Sequence, residues 1–362
     1  MQPNEGFGET VLRTFFKVFA AMMALVFSGI VGMVILGAVA GALVSDTAPE
    51  QAPTEYQTIS GDDSASVTVA SIPIEGVILG EPNAGDVYQL FGQSGLVYGY
   101  DVKNELQKLA DDDSVDGVIL EIHSPGGTIF GAQAIVDGVA AYRAQTGKPV
   151  YAYVGSIAAS GGYWVAASAD SIIADHGVSV GSIGVISGPF KYYDSVVSEN
   201  GGAFLGGVVT EKGITTSYIT AGTSKDVGNP YRQMTEDEVS TMQRSVNNAY
   251  DNFVQYVSGR RQISVDEIKS HIGAMIYDEQ QGMELHLVDQ IGNKDEAYQQ
   301  LADQINPGAD FKVERLVAPH SLLERVLLSA ESLSGQTAPS VSGCPLASSV
   351  LAFQGDVASL CR

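Results

Sequence analysis

The chain has 362 residues, 45% of them apolar, which is ample for a large core and excludes a disordered polymer. With 42 acidic against 19 basic residues the formal net charge is -23, so the attraction to phosphate that drives non-specific nucleic-acid binding is missing and no nucleic-acid partner is expected. Only two cysteines occur, Cys344 and Cys361, which excludes a Cys-rich metal site and leaves a tail disulfide or two free thiols open; the acidic surplus fits a high-salt surface or an ordinary soluble one.

Residues 1–17 carry Glu5, Glu9, Arg13 and Lys17, and Val18 to Ser45 then runs without a charged residue. That run exceeds the roughly 20 residues needed to cross a bilayer as a helix and the roughly 7 to 15 of a signal-peptide apolar region. Gly29, Gly32, Gly37 and Gly41 suit a membrane helix, so 18–45 is expected to be a transmembrane helix. Arg13 and Lys17 precede it, whereas Asp46, Glu50, Glu55, Asp62 and Asp63 follow. The positive-inside rule therefore predicts a single-pass protein of the cytoplasmic membrane, with its N-terminus in the cytoplasm and the remainder extracytoplasmic.

Residues 46–66 are rich in Pro, Thr, Ser, Asp and Glu and read as a flexible linker. A folded domain is expected over 67–316. Val67 to Ile74 alternates as a strand, Asp101 to Ala110 has helical spacing, and Gly117 to Ile122 is a short apolar strand. The turn-like His123-Ser124-Pro125-Gly126-Gly127 leads into helix-like Thr128 to Gln145. Strand, Gly-rich turn and helix repeat over Pro149 to Ala169, with strand signals at Ser171 to Ala174 and Val180 to Ser187. Thr235-Glu236-Asp237-Glu238 opens a long helix to about Gly259; shorter helices at Val265 to Ser270, Asp278 to His286 and Lys294 to Ile305 precede a strand at Phe311 to Leu316. Residues 317–362 form a partly disordered C-terminal tail. The alternation predicts an α/β fold of repeated strand-turn-helix units with largely parallel sheets.

The chemistry centres on Gly155-Ser156-Ile157-Ala158-Ala159-Ser160-Gly161-Gly162 after an apolar strand. A sharp turn there presents Ser160 at a helix N-terminus, where backbone N–H groups and the helix dipole favour an activated hydroxyl or a developing oxyanion. Packing of small residues is the alternative reading of the same stretch. Gly126 and Gly127 leave backbone N–H groups unobstructed at the same sheet edge, where one could bind an oxyanion; taken without context, the stretch reads as an ordinary Pro-Gly turn. Two bases are open. His123 adjoins the oxyanion stretch, with Asp170 or Asp175 as a third member, and Lys225 follows the small, uncharged lead-in Ile219 to Ser224 but needs burial to become neutral.

Four motifs occur in the order and approximate spacing of signal peptide peptidase A: Ser124-Pro125-Gly126-Gly127, Ala158-Ala159-Ser160-Gly161-Gly162-Tyr163, Gly181-Ser182-Ile183-Gly184-Val185 and Ser224-Lys225-Asp226. The chain resembles that family from about Val67 to Ile305, including Arg232-Gln233-Met234-Thr235 and Val288-Asp289-Gln290-Ile291-Gly292. The resemblance implies a Clp/crotonase-like fold and a membrane-anchored serine endopeptidase with a Ser-Lys dyad. Its substrates would be signal-peptide remnants and other hydrophobic peptides at the outer membrane face. It further implies Ser160 as nucleophile, Lys225 as general base and Ser182 orienting the lysine. Gly126 and Gly127 would form the oxyanion hole, with Gly161 and Gly162 admitting the substrate backbone. No metal or organic cofactor would be required, and the chain would form a ring-like homo-oligomer. His123 stands where the family commonly has another polar residue, often asparagine, and the Gly188 to Thr220 section is longer than in compact members. Two other classes fit the fold: an inactive scaffold in membrane quality control and a crotonase-type acyl-CoA enzyme. The small-residue tail from about 335 onward is a candidate pseudo-substrate or a target for self-trimming.

Overall fold

Three apolar stretches of the chain are each a central strand in the computed structural model. The structure describes residues 55–82, 95–190, 219–317 and 351–353, together with positions 17, 23, 28, 192, 198–199 and 208–209. Strands β1 (Glu55–Gly61), β2 (Val67–Leu79) and β3 (Leu96–Tyr98) lead to helix α1 (Gly99–Ala110), strand β4 (Gly117–Thr128), helix α2 (Ile129–Thr146) and strand β5 (Val150–Ala159). Helix α3 (Gly161–Ala166) is followed by strands β6 (Ser171–Ala174) and β7 (Ser179–Gly181), then by the separate two-residue strands β8 (Ser198–Glu199) and β9 (Val208–Val209). The long helix α4 (Glu236–Arg261), the short α5 (Val265–Glu267) with a π turn over Ile268–Ile272, β10 (Ile276–Asp278), α6 (Glu279–Glu284), β11 (Gln290–Ile291), α7 (Lys294–Ile305), β12 (Phe311–Val317) and β13 (Leu351–Phe353) complete the described elements.

The main sheet runs β1-β12-β2-β4-β5-β6-β11, and every neighbour along this path is parallel except β1 against β12. Parallel central strands are covered on both faces, which is why β2, β4 and β5 read as nearly continuous apolar runs. On one face α1, α2 and α3 close a core containing Ile72, Leu106, Leu120, Ile135, Val154 and Trp164. Across the sheet α7 lays Ala297, Tyr298 and Leu301 onto Val67, Ile119, Tyr153 and Val313. The mixed α/β architecture with a largely parallel sheet is the one its alternating elements predict.

The α7 face also buries a charge. Glu121, 1% exposed, accepts from Ser71 Oγ at 2.5 Å, Lys294 Nζ at 2.7 Å, Tyr298 OH at 2.7 Å and Arg315 at 2.5 Å. Burial acts to raise this carboxyl, but those hydrogen bonds outweigh it and hold the group down at about 2. One side chain thereby ties β2, β4, β12 and α7 together.

Three local expectations change. The stretch 124–127 continues β4 as strand instead of reversing the chain, because Ser124, Gly126 and Gly127 keep partners on neighbouring strands. Residues 55–61, within the stretch read as a linker, form β1 and pair antiparallel with β12. Leu351–Phe353, inside the stretch read as a partly disordered tail, is a strand of the main sheet. The predicted membrane helix over 18–45 lies outside the described residues apart from positions 23 and 28, and no described helix is long and apolar enough to cross a membrane.

Candidate active site

Strand β5 ends at Ala159, and the chain turns into α3 through Ser160 at φ 55°, ψ -118°. A non-glycine residue rarely adopts that conformation, and such strain persists only where surrounding bonds over-determine it. Here the Ser160 N–H donates to Gly181 O at 2.8 Å, its carbonyl accepts from Trp164 N at 2.9 Å, and its hydroxyl donates to Gly184 O at 3.3 Å. Ser160 is fully buried. It occupies the N-cap of α3, with the amide of Gly161 as the first of the helix.

Three contacts fix this short helix. Tyr163 donates its hydroxyl to Leu287 O at 2.9 Å, and burial pushes that phenol upward from its ordinary value. Trp164 stacks on Phe253 of α4, with centroids 4.4 Å apart and planes within 5°. Arg260, near the end of α4, caps the carbonyls of Ala167, Ser168 and Ala169 at 3.1, 3.0 and 2.7 Å. Those carbonyls directly follow the helix, at the negative end of its dipole, so a guanidinium there is favoured.

Beside Ser160, β4 extends past the end of β5. Ser124 Oγ donates to Gly76 O at 2.6 Å and accepts the Gly126 N–H at 3.1 Å, so that amide already has a partner. Gly126 itself has φ +99°, and a Cβ on it would lie 2.7 Å from Gly161 N. The Gly127 amide nitrogen lies 3.2 Å from where a Cβ on Gly161 would stand. Gly126, Gly127 and Gly161 thus converge. Gly162 instead packs against β4, where a Cβ would come 2.5 Å from Ser124 O.

The slot left by β5 is filled by the tail. Strand β13 runs antiparallel to β4, with Leu351 opposite Thr128, Ala352 opposite Gly127 and Phe353 opposite Gly126. On its other side Leu351 and Ile186 exchange both backbone hydrogen bonds, each at 2.9 Å. The Ala352 carbonyl oxygen faces both Gly126 and Gly161, lying 3.0 Å from where a Cβ on Gly161 would stand. Ala352 and Leu351 are buried. This strand is a neighbour of the serine that the sequence pattern did not reveal; the signal available was only a short apolar run after a Ser- and Ala-rich stretch.

Of the remaining candidates, Ser182 has φ 53°, is buried, and follows Gly181, the residue whose carbonyl holds Ser160; its own N–H donates to Met275 O at 2.6 Å. Lys225 is exposed in a run of turns, and among the described residues its amine makes no hydrogen bond or ion pair. Ser224 and Asp226 beside it are bound through Glu238 and Arg232 to the start of α4. Glu238 lies about four turns before Phe253 along that helix, on the order of 20 Å. Among the described residues no hydrogen bond joins Lys225 to Ser160, whose hydroxyl is bonded to Gly184 O. None joins His123 to it either: the His123 Nδ1 meets Ser156 Oγ at 3.1 Å, and its ring covers Gly155. Asp170 pairs with Arg143, and Asp175 accepts from the Tyr153 hydroxyl, so neither supports His123. Ser156 is exposed. A cavity of about 1050 Å³ lined by Asp116, Arg143, Lys148 and Asp170 opens at the amino ends of β4 and β5, the end of the sheet away from Ser160.

Residues 142–307 match the model of peptidase family S49. A Methanocaldococcus jannaschii protein named as a protease is 35% identical over 207 residues, 56% of this chain and 62% of that one. An Enterococcus faecium protein named for signal peptide peptidase SppA is 31% identical over 242 residues, 66% of this chain and 64% of that one. The chain thus spans less than two thirds of these relatives' lengths. Among solved structures, a ClpP1 mutant from Listeria monocytogenes overlays with a TM-score of 0.38 at 12% identity, over 63% of this chain and 94% of that one; a likeness at that level carries no argument.

Proposed function

We propose that this chain, which matches peptidase family S49 over residues 142–307 and is similar to a protein named for signal peptide peptidase SppA, is a membrane-anchored serine endopeptidase of the signal peptide peptidase A family, of Clp/crotonase-like fold, that cleaves extended apolar peptides. The observation that carries this reading is β13, a strand of the chain itself lying as a peptide substrate would lie beside Ser160. Peptide recognition by strand addition uses main-chain hydrogen bonds for affinity and pockets for alternate side chains for specificity. Cover from β4 and Ile186 supplies the first, and the buried Ala352 side chain marks a site for a small residue.

In this mechanism Ser160 Oγ attacks the peptide carbonyl as neutral Lys225 takes its proton. The oxyanion is stabilised by backbone N–H groups at Gly127 and Gly161, with Gly126 giving the peptide room to approach, and Ser182 orients the amine. The amine then protonates the departing amine and activates the water that frees the acyl-enzyme. Lys225 is exposed and makes no hydrogen bond to the serine of its own chain, so the burial that makes it neutral would come from a second copy in a homo-oligomeric ring. Each site joins the serine of one copy to the lysine of the next. A single helix over 18–45 would hold the ring at the outer face of the cytoplasmic membrane, where signal-peptide remnants and other apolar segments arise.

Cleavage of an apolar fluorogenic peptide tests the dyad: Ser160→Ala and Lys225→Ala each abolish it, and wild-type rates in either variant sink the reading. Intact masses test the tail. If Ala352 supplies the acyl group, the wild-type chain ends at Ala352 while Ser160→Ala keeps residues 353–362. One observation favours an inactive scaffold, namely that no hydrogen bond joins Ser160 to Lys225 in one chain. Recovered activity in mixtures of Ser160→Ala and Lys225→Ala chains, each inert alone, would exclude that alternative.

A further inference from the structure

A general base that acts on a neighbouring copy cannot rely on its own active site for alignment. It must leave its chain already aimed. The residues flanking Lys225 are held in a closed loop of charge-assisted hydrogen bonds. Arg232 uses all five of its N–H donors: Nε and one terminal nitrogen take Asp226 at 2.9 and 2.7 Å, both terminal nitrogens take Glu238 at 2.8 Å, and one also reaches Gln233 O at 3.0 Å. Glu238 in turn hydrogen-bonds Ser224, the residue on the other side of Lys225, and accepts the Thr235 N–H at 2.9 Å.

The loop is anchored to something rigid. Glu238 is 6% exposed and is the third residue of α4, where it forms a capping box with Thr235. Hydrogen bonds from Arg232 come first among the causes that hold the carboxyls of Asp226 and Glu238 each at about 2, so the clamp stays charged across any ordinary working range. Ser224, by contrast, sits at φ 63°, a conformation that a free loop would abandon.

We propose that Arg232 is a positioning residue for Lys225, clamping Ser224 and Asp226 to the α4 N-terminus so that the exposed amine is presented in one direction to the serine of the adjoining copy. This rests on Lys225 being the base. Lysine cannot replace Arg232, because a point charge cannot hold two carboxylates in a planar fork. Misplacing a reacting group by about 1 Å costs on the order of 100-fold in rate.

The test uses full-length chains and an apolar fluorogenic peptide. Arg232→Gln and Arg232→Lys are each expected to lower kcat about 10- to 100-fold. KM should stay unchanged, since β4 and Ile186 line the groove independently of this clamp. In rings mixed from Ser160→Ala chains, which can only give lysine, and Lys225→Ala chains, which can only give serine, Arg232→Gln lowers the rate when carried by the lysine-giving chain and not by the other. Wild-type kcat in Arg232→Gln, or equal loss whichever chain carries it, overturns the proposal. Wild-type activity in Lys225→Ala overturns instead the dyad on which it rests, and that result is read without any Arg232 variant. Thr235→Ala loosens the same helix start while leaving Arg232 in place; a matching loss of kcat there would assign the effect to the helix and overturn the clamp.

Discussion

The Ala352 carbonyl oxygen lies where a side chain on Gly126 would have to go. Gly126 has φ +99° and its Cα faces the Gly161 amide, so the two strands touch backbone to backbone. Gly126→Ala is therefore expected to expel the tail strand and any peptide taking its place. Peptide hydrolysis should fall at least about 100-fold, with the loss appearing in KM as well as kcat. Steady-state kinetics on purified protein check this, and an unchanged KM would count against the groove.

Occupation of the groove by the chain's own strand makes it an intramolecular competitor whose effective concentration is set by the connecting segment. A chain ending at Val350 should show a lower apparent KM for added peptide and an unchanged kcat. Equal KM values for truncated and complete chains would mean that β13 does not compete.

Arg260 holds the carbonyls of Ala167, Ser168 and Ala169, which follow the helix that begins after Ser160. Arg260→Met keeps the stem but removes the cap, leaving three carbonyls with one donor set fewer. A stability loss of about 1 to 3 kcal/mol is expected, read as a lower urea midpoint with an unchanged slope. The activity lost should exceed what the folded fraction explains, because the serine turn loses its far support.

Glu105 on α1 has a buried carboxyl oxygen with no hydrogen-bond partner among the described residues. Burial pushes its carboxyl up to about 7, against the pull of Lys108. A folded-state value above the unfolded one stabilises below about pH 4, and the benefit is lost as pH rises through 7. Glu105→Gln should thus leave Tm nearly unchanged at pH 4 and raise it at pH 8, by up to about 2 kcal/mol of stability. Thermal melts at the two values decide it; equal shifts at both would show that charge is not the cause.

Where the chain announces its own partners, sequence and structure agree closely. The apolar runs at the centre of β2, β4 and β5 are buried on both faces, and α7 begins at Lys294 because Asn293 and Glu296 form a capping box. Thr235 and Glu238 do the same for α4, whose start was legible from four residues. The strand-to-helix turn at Ser160 is equally local. What was not legible depends on distant strands. Tyr56, Thr58 and Ser60 in β1 look like linker because an edge strand carries polar residues, and only β12 makes them a strand. Pro125-Gly126-Gly127 looks like a turn, yet β2 on one side and β13 on the other keep it extended. The site divides in the same way. Glu238 was readable as a capping residue, whereas its grip on Ser224 and Arg232 required the loop and the helix start to meet in space.

The groove beside β4 is, in its physical character, an unprotected sheet margin. Such margins recruit any passing extended chain and are a common origin of aggregation, so proteins usually blunt them with charge, proline or a covering element. This one is flanked by Gly126 and Gly127 and by the exposed apolar side chain of Ile186. The three residues Leu351, Ala352 and Phe353 cover it. Without them, the feature that admits unfolded polypeptides would admit other copies of the protein as readily, and the tail would serve solubility as much as catalysis.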